Sequence, residues 1–154
     1  MYAGIINGDR TRFKDCSINI ERKSTGSFGL FNGGDVSANA NGIYFNNCYI
    51  KMKWSGTASP VFADMNGING KDSYFELEGN VNTMCQYMNA AVDNCVVDLI
   101  TNGTASTGDN SGVGMSIFNL THAPNITGGA NFKGVTDANW LDTEYLSSIG
   151  FNAG

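Results

Sequence analysis

Four cysteines, one histidine and a scatter of acids are the residues of this 154-residue chain with the means to do chemistry. Three of the cysteines share one context. Asp15-Cys16, Asn47-Cys48 and Asn94-Cys95 are each followed by alternating apolar residues, and Asp72-Ser73 repeats the context with a hydroxyl for the thiol. No Cys-x-x-Cys pair occurs, so the spacing that marks a zinc or redox site is missing. Equivalent places in a repeat favour buried free thiols at Cys16, Cys48 and Cys95. Neighbouring strands ~4.8 Å apart would bring Cys16 close enough to Cys48 for a bridge, which the sequence leaves open. Cys85 stands in a different context and is expected in or near the core.

His122 is the sole histidine, and the sequence offers no local sign of the paired nucleophile and acid that a triad needs. Calcium-dependent lyase chemistry needs clustered acids beside a basic residue. Asp9 beside Arg10, Asp64, Asp93 and Asp98 are the acids to inspect, and they occupy different strand or corner positions. A paired-carboxylate glycosidase remains the enzymatic alternative, because Asp64, Asp93 and Asp98 lie on nearby repeats. The expectation is a non-enzymatic chain with no catalytic residue, no metal ligand and no cofactor.

The elements that carry these residues follow from a repeat. Phe13–Glu21 (FKDCSINIE), Phe45–Lys53 (FNNCYIKMK), Gly70–Glu78 (GKDSYFELE) and Val92–Ile100 (VDNCVVDLI) align without gaps. A second, five-residue phrase centres on Ile6-Asn7, Phe31-Asn32, Met65-Asn66, Met88-Asn89 and Phe118-Asn119, at intervals of 25, 34, 23 and 30 residues. A recurring unit of this length is the mark of a solenoid. Apolar residues at every second position (Cys16, Ile18, Ile20; Cys48, Ile50, Met52; Cys95, Val97, Leu99) mean strand, not helix. Asp15, Asn47, Asp72 and Asn94 sit between two inward residues three apart, so the chain must bend there. Asp and Asn tolerate left-handed backbone and bond to neighbouring amides. They are expected to stack as a ladder beside an inward column of Cys16, Cys48, Ser73 and Cys95.

This arrangement resembles the right-handed parallel β-helix superfamily, the pectin-lyase-like fold, whose members include pectate lyases, phage tailspikes and bacterial surface proteins. The resemblance covers about residues 3–127 and rests on the repeat, not on a catalytic motif. It implies an all-β solenoid of four to five coils over residues 1–133. Residues 134–154 then form a C-terminal cap: Trp140, Leu141, Tyr145, Leu146 and Ile149 fall at helical spacing, and Gly150 ends the helix. One amphipathic helix covering the open last coil is expected. The first strand begins within a few residues of Met1, so a preceding domain or another subunit is expected over that end, against Ile5.

Composition narrows the partners. A net charge of −5 disfavours a nucleic acid, which needs clustered Lys and Arg. No apolar run is long enough to span a membrane, and the start "MYAGIINGDR" lacks the pattern of a signal peptide. Insertions at 33–44, 54–61 and 101–114 are the loops where binding would concentrate. Outward strand positions set Tyr49 over Tyr74, Lys51 against Glu76 and Lys53 against Glu78, with Val96 and Ile100 extending an apolar face for a loop or a second subunit. Unpaired thiols suit assembly in a cytosol. The function expected is therefore a structural or interaction component of a phage virion (tail, fibre or spike), assembled in the bacterial cytoplasm, with a cell-surface adhesin as the alternative. Its partners would be other virion or surface-assembly proteins and a glycan receptor. The tailspike resemblance implies a homo-oligomer, a trimer.

Overall fold

In the computed structural model the residues described are 4–7, 11–22, 29–32, 43–54, 68–78, 91–100, 105–106 and 114–153. Two sheets dominate them. A six-stranded sheet runs in the order β14-β12-β10-β8-β6-β3, comprising Phe132–Val135, Ser116–Asn119, Val96–Ile100, Tyr74–Glu78, Tyr49–Trp54 and Ser17–Arg22. A four-stranded sheet runs β2-β5-β7-β9, comprising Arg12–Lys14, Ile43–Asn46, Ile68–Lys71 and Ala91–Asp93. Two strand pairs complete the set: β1 (Gly4–Asn7) with β4 (Gly29–Asn32), and β11 (Ala105–Ser106) with β13 (Ile126–Thr127). Every pairing among the described residues is parallel. The arrangement is compatible with a β-helix-like solenoid.

The alternation in the sequence explains the registers. Ile18 pairs with Ile50, Ile50 with Phe75 and Phe75 with Val97, so each in-facing residue stacks on another. Phe45, Ile50, Met52, Phe75, Leu77, Val97 and Leu99 are fully or nearly fully buried in one core, which the half-buried Phe13, Cys16, Ile18 and Ile20 flank. Burying side chains of this size contributes roughly 1.5–3 kcal/mol each against exposure. That is what holds strands with no local turn to pair them.

Each strand of the four-stranded sheet passes into one of the six-stranded sheet through a single bend. Asp15, Asn47, Asp72 and Asn94 occupy these bends with φ of 53°, 52°, 49° and 51°. The backbone ladder continues through them: Asp15 N–H donates to the Asn46 carbonyl at 3.0 Å, and Asn47 N–H to the Lys71 carbonyl at 3.1 Å.

Two expectations need correcting. The segment 116–120 is not a fifth copy of the five-residue phrase. Ile117 pairs with Val96 and Phe118 with Val97, which puts Ser116 in line with Cys95. The Ser116 hydroxyl accepts the Cys95 N–H at 3.1 Å, as the Ser73 hydroxyl accepts the Cys48 N–H at 3.1 Å. The residue after a bend is thus a thiol or a hydroxyl able to serve the strand beneath, and Ser116 meets that need better than the Asn119 match suggested.

The second correction concerns the C-terminus. One helix was expected; two short ones form, α1 (Asp137–Trp140) and α2 (Thr143–Ser148). Asp142 separates them because its carboxylate accepts the Tyr145 N–H at 3.0 Å and caps α2. Leu141 is left 87% exposed, although its spacing placed it on the apolar side. Gly150, at φ 91°, ends α2 and lets Phe151 N–H reach the Leu146 carbonyl at 2.9 Å. Leu146 and Phe151 then pack on Ile117 and Val135, with Val96 at the margin. These are outward residues of the six-stranded sheet, so the helices cover its side.

Candidate functional site

Two groups of polar side chains converge on the six-stranded sheet. The first is the line of bends. Asn47 Nδ2 donates to Asp15 Oδ1 at 2.9 Å, and Asn94 Nδ2 donates to Asp72 Oδ1 at 2.8 Å. Alternating carboxylate with amide gives each anion a donor and keeps like charges two strands apart. Asn152 N–H closes the line by donating to Asn94 Oδ1 at 3.1 Å. A groove of about 820 Å³ runs along these residues, with Cys16, Cys48, Ser73, Tyr49, Tyr74 and Val96 also in its wall.

The second group lies on the outer face beside that wall. The Tyr49 and Tyr74 rings stand 5.4 Å apart, tilted by 34°. The Tyr49 hydroxyl donates to Glu76, which also takes Lys51 at 2.7 Å; Lys53 meets Glu78 at 3.0 Å. Lys51 and Tyr49 together hold the Glu76 carboxyl below its ordinary range. One strand further, Asp98 accepts from the Tyr74 hydroxyl at 3.5 Å and meets His122 Nδ1 at 2.8 Å. Asp98, on the outward side of its strand, is only 7% exposed.

The Asp98–His122 pair is what the sequence did not disclose. The acid lies 24 residues from the imidazole. Asn119 makes the contact: its side-chain oxygen accepts the Thr121 and His122 N–H groups at 2.8 and 3.2 Å, which folds the turn after β12 back over Asp98. An Asn at the end of a strand, a residue type that organises the following turn, was the available signal. An acid that orients an imidazole is two-thirds of a triad. The hydroxyl bonded to Asp98 is the Tyr74 phenol, and burial and neighbouring carboxylates raise its pKa far above its ordinary value.

The bond to Asp98 raises the His122 pKa above its ordinary 6.5 against an opposing desolvation, with the Asp98, Asp137 and Glu76 charges adding to the rise. A folded-state pKa raised in this way stabilises the protein fully below pH 6.5, and the effect is lost as pH rises through the raised value. His122→Gln is thus expected to lower the melting temperature more at about pH 5.5 than at about pH 8.5. Equal losses at both would mean that the pair carries no charge.

The other expected residues fall as follows. Val96, expected on a face covered by a loop or a second subunit, is half-buried beside the chain's own Leu146 and Phe151. Ile100 is half-buried at the end of β10 and pairs in register with Glu78. Cys16, Cys48 and Cys95 are free thiols, the first half-buried and the others buried. Asp93 accepts the Gly114 N–H at 2.7 Å and lies on the four-stranded sheet, whereas Asp98 lies on the six-stranded one. Ile5 lies on β1, and its side chain is outside the described residues, as are Asp9, Arg10, Asp64 and Cys85. The insertions at 33–44, 54–61 and 101–114 fall almost wholly outside them. Among the described residues no group of three or more His, Cys, Asp or Glu stands close enough to hold a metal ion, and no helix is long and apolar enough to cross a membrane.

Comparison with protein families, curated proteins and solved structures returns no match. The functional reading therefore rests on the groove and the face beside it.

Proposed function

We propose that this chain is a non-enzymatic interaction scaffold, a β-helix solenoid serving as a structural component of a phage tail, fibre or spike. On this reading the groove along its bends receives a glycan of the host surface. The observation that carries it is the groove itself, in which Asp15, Asn47, Asp72 and Asn94 lie in one line beside the paired Tyr49 and Tyr74. Carboxylate and amide oxygens accept from sugar hydroxyls, and the C–H faces of a sugar ring pack on tyrosine. The line repeats once per strand, so a chain of residues is a better fit than a single small molecule. An assembly role also agrees with bends and aromatic stacks that repeat in register: such a scaffold is stiff and extends by repetition. A homo-oligomer, and a trimer by the tailspike resemblance, belongs to the same proposal.

The test is binding to an array of bacterial surface polysaccharides, with sedimentation of the same sample. Wild type is expected to bind at least one polysaccharide, and Tyr49→Ala is expected to weaken that binding about tenfold, a typical effect of losing one stacked aromatic contact. Binding unaffected by Tyr49→Ala would remove the groove from the proposal. A second reading, a carbohydrate-active enzyme, is favoured by one observation: Glu76 and Asp98 are register partners, and His122 touches the latter. Release of reducing ends from the bound polysaccharide, abolished by Asp98→Asn, would establish that reading in place of the first.

A further inference from the structure

The Cys16 and Cys48 sulfurs stand 3.3 Å apart. Their residues follow successive bends, and Tyr49 N–H donates to the Cys16 carbonyl at 2.9 Å, so the two backbones are neighbours in a parallel ladder. Such neighbours lie ~4.8 Å apart, within the ~4.4–6.8 Å between Cα atoms that a disulfide spans. Both residues line the groove, and Cys16 is half-buried where Cys48 is buried, so Cys16 is the one placed to meet a solute first. The next place in the column is Ser73, whose hydroxyl serves the Cys48 N–H and donates to the Lys71 carbonyl. Cys95 is buried one place further, with Ser116 on its other side. The described thiols are therefore one touching pair and one thiol isolated by hydroxyls.

We propose that Cys16 and Cys48 are a redox modification site: they close to an intrachain disulfide on meeting a small-molecule disulfide, and so staple β2–β3 to β5–β6. The Cys16 thiolate attacks one sulfur of glutathione disulfide, whose S–S bond breaks to release a glutathione thiolate. The Cys48 sulfur then attacks Cys16 in the mixed disulfide, displacing the second glutathione. Two protein thiols are oxidised, one glutathione disulfide is reduced to two thiols, and the two protons end on the departing glutathiones. Burial, the Cys48 thiol and the Asp15 charge push the Cys16 thiol up to about 11, so closure is slow near neutrality and quickens with pH. Among the described residues the charge acting on it is Asp15, itself near Lys14, with Asp72 two strands along the same line of bends. A chain that folds with free thiols in a reducing cytosol would thus be fastened after it enters an oxidising medium.

The experiment treats the reduced, folded full chain with oxidised glutathione at about pH 8.5, then alkylates, digests and maps it by mass. The expected result is a peptide joining residues 16 and 48, with Cys95 alkylated as a free thiol. The closed form should melt roughly 5–15 °C higher, since it fastens residues 32 positions apart, and dithiothreitol should reverse the shift. Cys48→Ser should stop at a glutathione adduct on Cys16 with no rise in melting temperature, and Cys16→Ser should give neither. Full alkylation of both thiols in the folded chain, a bridge to Cys85 or Cys95, or dimers linked between chains would each overturn the proposal.

Discussion

Phe45→Ala is expected to destabilise the protein by about 3–5 kcal/mol, the range for removing a fully buried Phe from a core that only partly collapses into the void. Phe45 has no solvent exposure and sits midway along a file of aromatic rings. Its ring stacks on Phe13 at 5.1 Å with 12° between planes and meets Phe75 edge-on at 5.6 Å. Truncation therefore removes two aromatic contacts as well as buried area, each pair contributing about 0.5–1.5 kcal/mol beyond that area. The neighbours are fixed by parallel ladders on both sides, so they cannot move in to fill the space. Urea denaturation of wild type and variant checks this. A loss below about 1 kcal/mol would mean that the file is not part of the cooperative core. Because parallel strands here have no hairpin to hold them, a shallower denaturation slope, reporting partial opening of β2–β3, is the accompanying expectation.

Asn47→Leu should cost about 2–3 kcal/mol, and Asn47→Gly only about 1 kcal/mol. Two effects separate in this pair. Both variants lose the bond from Asn47 Nδ2 to Asp15 Oδ1, which is exposed and so is worth no more than a typical net hydrogen bond. Only leucine also pays the steric cost of φ 52°, where a β-carbon with no local hydrogen bond is unfavourable by about 1–2 kcal/mol. Since Asn47 is exposed, loss of buried area cannot account for the difference. Thermal melts of the two variants side by side would show it. Equal losses would remove the backbone argument and leave the side-chain bond as the whole effect. By register, the same contrast is expected at Asp72 and Asn94.

Much of this was open to reading in the chain itself, and the part that was not has a common physical cause. The strands β3, β6, β8 and β10, their in-facing residues and the bends at Asp15, Asn47, Asp72 and Asn94 rest on local properties. A period of two needs only the pleat, and a left-handed residue between two inward ones needs only a few neighbours. The ion pairs Lys51–Glu76 and Lys53–Glu78 follow as soon as those strands are stacked. Contacts between unlike segments were beyond such reading. Asp98 and His122 meet only because Asn119 turns the chain after β12, and α1 and α2 lie along the sheet's side because Ile117, Val135 and Val96 leave an apolar strip there. The place of Ser116 was misread for the same reason: its role is to accept an N–H from a strand 21 residues earlier. Local sequence determined which residues point inward and where the chain bends. Tertiary structure alone decided which polar groups share a bond and how near two thiols stand, because those distances depend on the rotamers and turns that packing selects.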